Sequence, residues 1–307
     1  MQVFHHAGEF RSHGRKVSAA IGMFDGVHLG HQQLIRQALA DAEQHEGTAV
    51  VVTFDRHPNS VVAPERVPPL IYSPRQKLRA LASLNVDATL VIPFTREFSE
   101  QPADAFIGSL VRQLAPLQSL CVGRSFVFGH KRSGNVSRLQ QLGRELNFVV
   151  HGIAAVSLDN EVVSSTRIRE TVRAGELNCA SQMLGREYAL SGLVIRGDEL
   201  GRKLGFPTAN LDVSGSLVPP GGVYAVHAYV DGTRHRAVAN IGHRPTLQDA
   251  TPTLRVEAHL LNFDGDLYGK ELELTFVEKL RDERKFDSLD ELRAQIGRDI
   301  AEAGTKF

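Results

Sequence analysis

Two histidines three residues apart, His28 and His31, lie where a short apolar run gives way to a helical pattern. Upstream, Val17 to Ile21 has the composition of a buried strand. Downstream, apolar residues recur with helical spacing from Leu34 to Ala42. Histidines on the first turn of such a helix can share a face and, with the free N–H groups of the helix start, donate hydrogen bonds to an anion. The pattern therefore predicts a phosphate-binding turn.

The residues around the two histidines also suit close approach of a phosphate, because glycines let the backbone come near a ligand. The candidate binding residues of this turn are Gly22, Phe24, Asp25, Gly26 and Gly30. One alternative is a plain glycine-rich turn with two solvated histidines. A metal site is less favoured, because no third ligand stands at a recognisable spacing.

A second polar run, Ser164-Ser165-Thr166-Arg167, opens a later helix of the first half. Hydroxyl groups, helix N-terminal amides and a guanidinium together form a typical phosphate-binding arrangement. Taken alone, the run also fits an ordinary N-cap on a surface helix.

The second half of the chain has a different set of candidates, centred on Thr208 and Asn210. Residues two apart in an extended segment face the same side, so these two side chains can share one metal ion or phosphate. The flanking candidates for phosphate approach are Gly197, Gly201, Arg202, Gly205 and Pro207. The alternative is a loop capped by its own side chains.

The order of the elements indicates two domains, residues 1–184 and 185–307. Strands and helices alternate in the first, which predicts a parallel sheet with ligands beyond the carboxyl ends of its strands. One of its helices starts at Pro74, with Leu78, Leu81 and Ala82 as the apolar face. From Tyr188 onward, short strands with period-two alternation predict a small antiparallel barrel. A terminal helix then begins at Ser288, with the inward residues Leu289, Leu292, Ile296 and Ile300.

These motifs together resemble one family. His-x-Gly-His after Phe-Asp-Gly, followed later by Ser-Ser-Thr and arginines, is similar to the two signatures of the HxGH nucleotidyltransferase superfamily. The run Leu204-Gly205-Phe206-Pro207-Thr208-Ala209-Asn210 resembles the riboflavin kinase signature. Further kinase-like motifs follow in order, among them Asn240-Ile241-Gly242-x-x-Pro245-Thr246. In this order the chain resembles the bacterial FAD synthetases, which are bifunctional riboflavin kinase/FMN adenylyltransferases.

The resemblance implies an α/β fold in which a Rossmann-like nucleotidyltransferase domain precedes a six-stranded antiparallel β-barrel with a C-terminal helix. It implies ATP, riboflavin, FMN and FAD as substrates or products, and Mg²⁺ held by Thr208 and Asn210. It makes His28, His31 and the downstream carboxylate Glu257 the catalytic candidates. For Glu257 the alternative is an outward-facing strand residue. The flavin-binding candidates are Phe54, His57, Pro58, Phe126, Phe128, Asn240 and Arg281.

The flavin loops of the first domain depart from the family pattern. Asp55-Arg56 stands where Glu-Pro is usual, Arg124-Ser125 replaces an acidic or polar pair, and Asn135 replaces an aspartate. One alternative is therefore a riboflavin kinase whose nucleotidyltransferase domain is impaired or differently specific. A nucleotidyltransferase with another acceptor and a flavin-binding regulator are the other two.

The amino-acid composition indicates which kinds of partner the protein binds. Lysine plus arginine equals aspartate plus glutamate at 35 each, so no net field favours nucleic acid or a membrane surface. No run approaches the roughly 18 apolar residues of a membrane span. Two cysteines make no disulfide scaffold, and we expect both to be reduced and buried. The sequence predicts a cytoplasmic protein that acts on small molecules, as a monomer or weak homo-oligomer.

Overall fold

The computed structural model describes residues 1–5, 7–244 and 253–307 of the chain, which form two compact units. The first unit comprises Met1–Pro68 and Pro74–Ser165, and the second comprises Pro69–Ser73 and Thr166–Phe307. Leu70 belongs with the second unit because it bridges to Ser216 and its N–H donates to the carbonyl of Gly215. Helices between 166 and 184 also group with the barrel by their contacts. The division of activities at 184/185 is not tested by compactness and stays a prediction.

The first unit is an α/β layer structure. Its described strands are β1 (Gln2–Phe4), β2 (Val17–Ile21), β3 (Thr48–Phe54), β4 (Ala88–Ile92), β5 (Leu117–Gly123), β6 (Val127–Phe128), β7 (Gly134–Asn135), β8 (Val149–Ile153), β9 (Ser157–Leu158) and β10 (Glu161–Val162). Its helices are α1 (Leu29–Gln44), α2 (Asn59–Val62), α3 (Pro74–Ala82), α4 (Arg96–Ser99), α5 (Ala103–Gln113) and α6 (Val136–Leu146).

Six of these strands form one parallel sheet in the order β1-β4-β3-β2-β5-β8. Every residue of β2 and β3 is buried, as expected for strands covered on both faces. The chain runs outward from β2 to β3 and β4 on one side, and to β5 and β8 on the other. The switch point therefore lies between the carboxyl ends of β2 and β5, where open α/β sheets bind ligands.

The helix α3 buries a face that differs from the predicted one. The residues it buries are Gln76, Lys77, Ala80 and Leu81, whereas Leu78 is half-buried and Ala82 is exposed. The prediction for Leu78 and Ala82 was wrong because it counted only apolar residues, and a lysine and a glutamine occupy the inner face.

The second unit is a closed barrel with helices. After α7 (Ser165–Arg173) and α8 (Leu177–Leu184) come β11 (Ala189–Ile195), α9 (Leu200–Lys203), β12 (Ala209–Asp212), β13 (Gly222–Val230), β14 (Thr233–Arg244), β15 (Thr253–Leu260), β16 (Glu271–Arg281) and α10 (Leu289–Gly304). The six strands close in the order β11-β12-β15-β14-β13-β16, and each neighbouring pair is antiparallel. The predicted barrel is confirmed.

Turn chemistry explains part of the barrel. Asp231 and Gly232 both have positive φ and join β13 to β14 as a two-residue hairpin loop. Asp264-Gly265 carries the same dipeptide signal but lies inside a longer connection, between β15 and β16.

In α10, Leu289 is 58% exposed, so its predicted inward position was wrong. The buried face of that helix instead includes Gln295 and Asp299.

Candidate active sites

The turn after β2 is buried and conformationally constrained. Phe24 and Gly26 adopt left-handed backbone conformations, with φ of 51° and 78°. The Phe24 side chain is fully buried and packs edge-on against the His31 ring, with centroids 5.2 Å apart. A Cβ on Gly22 would lie 3.3 Å from the same phenyl ring. Phe24 therefore supports the His31 ring, and the absence of a side chain at Gly22 leaves room for Phe24.

The two histidine rings are stacked, with centroids 3.6 Å apart and an interplanar angle of 19°. His28 is the N-cap of α1, and its Nδ1 accepts the backbone N–H of His31 at 3.4 Å. An Nδ1 that accepts leaves Nε2 as the protonated nitrogen of a neutral imidazole. The Nε2–H of His28 is then the ring group that can donate to a ligand.

The serine run lies next to this turn. Ser165 begins α7, and its hydroxyl donates to the backbone carbonyl of Asp25 at 3.1 Å. A Cβ on Gly30 would lie 3.2 Å from the His28 ring and 3.8 Å from the carbonyl of Val163. Ser164 directly precedes α7, and Thr166 and Arg167 follow on its first turn. The structure thus brings the start of the second polar run against the first turn.

Aromatic side chains from several loops cluster at the same edge of the sheet. Phe54 at the end of β3 lies 5.7 Å, between ring centroids, from both Phe94 and Phe98. The cluster continues through Phe106 to Phe128, which stacks on Phe126 at 5.4 Å. It joins three of the predicted flavin residues to three for which no flavin role was predicted, namely Phe94, Phe98 and Phe106.

The unusual loop residues have local roles. Asp55 accepts the backbone N–H of Phe94 at 2.8 Å and pairs with Arg56 at 2.9 Å. Although burial raises the pKa of Asp55, the hydrogen bonds from Arg56 and the Phe94 amide outweigh it and leave that pKa lowered. Asn135 is the N-cap of α6, with its side chain accepting the Arg138 N–H at 2.9 Å. Aspartate and asparagine serve equally well at an N-cap, so Asn135 keeps this local interaction.

In the second unit, the predicted residues meet in one cavity of about 360 Å³. Its lining includes Gly201, Thr208, Asn210, Asn240, Glu257 and Arg281. Strand register explains this meeting: Glu257 of β15 lies directly opposite Asn210 of β12 on one side and Asn240 of β14 on the other. The row continues from Asn240 to Val223 and then to Arg281.

This row lies on the opposite face of the strands from the barrel core. The core contains the sequence neighbours of the row, namely Ala209, Leu211, Ala239, Ile241, Val256 and Ala258. Because side chains alternate along a strand, Asn210, Asn240 and Glu257 face outward from the barrel. Glu257 therefore has the outward position predicted for a plain strand residue, and it also lines the cavity.

Two glycines lie against the Thr208 and Asn210 side chains; Gly201 lines the cavity, whereas Gly197 does not. A Cβ on Gly201 would lie 2.5 Å from the carbonyl oxygen of Phe206 and 3.0 Å from the Thr208 hydroxyl. A Cβ on Gly197 would lie 2.3 Å from the Asn210 Nδ2. Both positions exclude any larger residue without displacing Thr208 or Asn210.

The terminal helix supplies a buried polar wall. Asp299 accepts hydrogen bonds from Nε and Nη2 of Arg281, at 2.9 Å and 2.7 Å. Gln295 donates to the Asp299 carboxylate at 2.7 Å and accepts from Arg284. Arg284 also lies over the Phe286 ring, 4.8 Å from its centroid. Arg281 is thus held in place by Asp299, a carboxylate that no sequence motif identified.

Two family models match this chain, one in its N-terminal part and one in its C-terminal part. The sequence model of the FAD synthetase family matches residues 10–167, and that of riboflavin kinase matches residues 184–307. The bifunctional riboflavin kinase/FMN adenylyltransferase of Haemophilus influenzae is 37% identical over 94% of this chain and 93% of its own length. This chain belongs to that bifunctional family. The membership confirms the predicted family and its enzyme class, a transferase that combines a kinase with a nucleotidyltransferase.

Other relatives carry the same description. The bifunctional riboflavin kinase/FMN adenylyltransferase of Escherichia coli K12 is 38% identical over 91% of this chain and 89% of its own length. That of Pseudomonas fluorescens is 36% identical over 99% and 97%. A crystal structure described as a macrolide-efflux protein from Streptococcus pneumoniae matches with a TM-score of 0.81 and 26% identity, covering 98% of each chain. In the part of the chain that the structure describes, no helix has the length and hydropathy of a membrane span.

Some of the predicted phosphate-binding residues of the second unit do not line the barrel cavity. Arg202 is exposed and faces Glu199, while Gly205 and Pro207 are not among the cavity residues that the structure describes. Pro207 contributes its carbonyl, which accepts from His259 Nδ1 at 2.7 Å. Pro245 and Thr246 of the kinase-like motif lie outside the described residues.

The cysteines fit the predicted reduced state. Cys121 and Cys179 are both free, and Cys121 is buried. Cys179 is only half-buried, so the expectation of burial was wrong for that residue. It faces partly outward on α8 because that short helix buries a different set, namely Ala180, Met183 and Leu184.

Proposed function

We propose that the chain makes FAD in two ATP-dependent steps, phosphorylation of riboflavin to FMN and then adenylylation of FMN with release of pyrophosphate. The observation that carries the proposal is the barrel cavity, which gathers the predicted kinase residues from positions 201 to 281. We assign the kinase step to residues 185–307 and the adenylyl transfer to residues 1–184. The family matches over residues 184–307 and 10–167 support this order.

In the kinase step, the riboflavin 5′-hydroxyl attacks the γ-phosphorus of ATP and ADP leaves. Glu257 orients that hydroxyl and accepts its proton as the new P–O bond forms. Its cross-strand neighbours in the row are Asn210 and Asn240. The apolar wall of the cavity, which includes Val223, Ile296 and Phe286, suits the isoalloxazine ring. Arg281 is the flavin-side cation, positioned by Asp299.

Mg²⁺ fits the oxygen donors of the cavity. Thr208 and Asn210 provide a hydroxyl and an amide oxygen, and Mg²⁺ commonly keeps few protein ligands while substrate phosphates and water complete its shell. Among the described residues there is no cluster of three His, Cys, Asp or Glu side chains to hold a metal. The ion supplies neutralisation of phosphate charge. We therefore propose Thr208 and Asn210 as its protein ligands.

In the adenylylation step, a phosphate oxygen of FMN attacks the α-phosphorus of ATP. The nucleophile is already anionic, so no protein nucleophile is required. His28 and His31 donate to the oxygens of the α-phosphate as charge develops there. Gly22, Asp25, Gly26 and Gly30 shape the turn around them, and the run Ser164, Ser165, Thr166 and Arg167 supplies donors for the β- and γ-phosphates. Phe54, His57, Pro58, Phe126 and Phe128 contact the flavin.

The alternative, a riboflavin kinase with an impaired or differently specific nucleotidyltransferase domain, is not favoured. The FAD synthetase model matches residues 10–167, and Asn135 keeps the N-cap interaction of an aspartate. Purified protein incubated with riboflavin, ATP and Mg²⁺ tests the proposal by chromatography of the flavins. We expect FMN to appear first and FAD to follow with one pyrophosphate per FAD. FMN that accumulates without FAD would support the alternative.

We also propose a cytoplasmic protein that functions as a monomer or weak homo-oligomer without nucleic acid. The equal numbers of acidic and basic residues support the absence of a nucleic-acid partner, because the chain has no net positive charge to attract a polyanion. Size-exclusion chromatography with light scattering over a concentration series tests the oligomeric state. A stable, concentration-independent assembly would contradict it.

A further inference from the structure

Lys77 is a buried amine at the carboxyl edge of the parallel sheet, on the inner face of α3. Its Nζ donates to the backbone carbonyl of Phe54 at 2.8 Å and to the Thr53 hydroxyl at 3.3 Å. The Thr53 hydroxyl in turn donates to the carbonyl of Met23 at 3.1 Å. The amino group thereby contacts the end of β3 directly and the turn that follows β2 through the Thr53 hydroxyl.

Two carboxylates attract the same amine. Asp25 in the turn after β2 and Asp55 in the loop after β3 both favour its charged form, against the effect of burial, which lowers the pKa of Lys77 to about 8. Asp55 also holds the backbone N–H of Phe94, in the loop after β4. Three consecutive strand ends therefore converge on the surroundings of one lysine. Burying an amine is costly unless its hydrogen bonds and charge are compensated. Here Phe54 and Thr53 accept its hydrogen bonds, and the two carboxylates offset part of the cost of burying its charge.

We propose that Lys77 is a positioning residue for adenylyl transfer: it ties the flavin loop that begins at Phe54 to the turn that carries His28 and His31. The inference rests on the proposed function of residues 1–184. Lys77 acts through the Met23–Asp25 turn and the Phe54 carbonyl, and it does not touch the reacting atoms. The phosphate oxygen of FMN must approach the α-phosphorus of ATP in line with the leaving pyrophosphate. The distance between the Phe54 loop and the histidine turn therefore affects the rate of the reaction.

The expected effect follows from geometry. Misplacing reacting groups by about 1 Å costs on the order of 100-fold in rate. We expect Lys77→Met to lower kcat for FAD formation from FMN by about that factor, with KM for ATP changed by less than about 3-fold. Lys77→Gln keeps one hydrogen-bond donor without the charge, and we expect it to fall between wild type and Lys77→Met. Lys16→Met, at an exposed lysine of the same unit, is the matched control and keeps full activity.

Thr53→Val provides an independent test, because it removes the hydroxyl that passes the contact on to Met23 while keeping the side-chain volume. If the tie acts as one chain of contacts, Lys77→Met and Thr53→Val are non-additive, and the double variant is no slower than Lys77→Met alone. A merely structural role predicts instead that kcat falls only as far as the folded fraction, measured by thermal unfolding.

Wild-type conversion of FMN and ATP to FAD separates the two hypotheses. If wild type forms no FAD, the proposed function fails. If wild type forms FAD and Lys77→Met matches it, the positioning role of Lys77 is refuted. Additive effects of the two substitutions, or a rate loss explained by unfolding alone, also overturn the inference.

Discussion

Replacing Gly197 by alanine tests whether Asn210 must hold its position for riboflavin phosphorylation. A Cβ at Gly197 would lie 2.3 Å from Nδ2 and 2.5 Å from Cγ of Asn210, whereas ordinary contacts begin at 3.4 Å. The amide must therefore move by about 1 Å, the difference between these distances. A displacement of that size costs on the order of 100-fold in rate for a group that positions substrate. We expect kcat of the kinase step to fall by about that factor.

The assay follows FMN formation from riboflavin and ATP over a series of Mg²⁺ concentrations. Because Asn210 is a proposed Mg²⁺ ligand, we also expect Gly197→Ala to require more Mg²⁺ for half-maximal rate. FAD formation from added FMN reports on the other step, and we expect it to be unchanged. Gly297→Ala is the matched control in the same unit, since a Cβ there meets nothing within 4 Å. It lies inside α10 and should stabilise that helix by up to about 1 kcal/mol.

The reasoning is refuted if Gly197→Ala phosphorylates riboflavin within about 3-fold of the wild-type rate with an unchanged Mg²⁺ requirement. That outcome would mean that Asn210 yields without consequence and does not position the nucleotide or its metal. Equal loss of both activities would instead point to a general folding defect, which the unfolding transition of the variant would reveal.

Three further perturbations follow from the geometry. We expect His31→Ala to lower FAD formation by about 100-fold or more, as loss of a donor to developing phosphate charge does elsewhere, while FMN formation persists; equal loss of both activities in a folded variant would contradict separate sites. We expect Asp299→Ala to cost about 3 kcal/mol of unfolding free energy in urea, because the half-buried Arg281 loses its carboxylate; a cost near zero would contradict that role. Burial, opposed by Asp25 and Asp55, lowers the pKa of Lys77 from 10.5 to about 8. Between those values the unfolded chain binds more protons than the folded one, so wild-type stability should rise with pH relative to Lys77→Met; urea unfolding at pH 7.5 and 9.5 measures that difference, and an unchanged difference would refute it.

Local signals predicted much of the chemistry. Glycines, histidines and hydroxyl residues that lie close in the chain identified the turn at 22–31, the run at 164–167 and the Thr208–Asn210 pair. The strand-to-helix setting of His28 was readable because one apolar run and one helical period flank it directly. The same holds for the Asp231-Gly232 hairpin, whose two residues both have positive φ.

The pattern of apolar residues predicted some helix faces wrongly and did not predict the buried charged residues. Counting apolar residues placed Leu78, Ala82 and Leu289 on inner faces, where the structure buries Lys77 and Asp299 instead. A buried charge looks like a surface residue in sequence, because only its partners make burial tolerable. Those partners lie far away in the chain: Asp25 for Lys77, and Arg281 for Asp299.

The sequence by itself determined which residues can do chemistry and which local elements carry them, since capping, turn and periodicity preferences act over a few residues. Only the tertiary structure decided which of those residues meet. Glu257 stands between Asn210 and Asn240 because of the pairing register of three strands. Lys77 contacts the end of β3 directly and the turn after β2 through Thr53, because a parallel sheet brings these strand ends to one edge. Register and packing depend on contacts between distant parts of the chain, which no local pattern encodes.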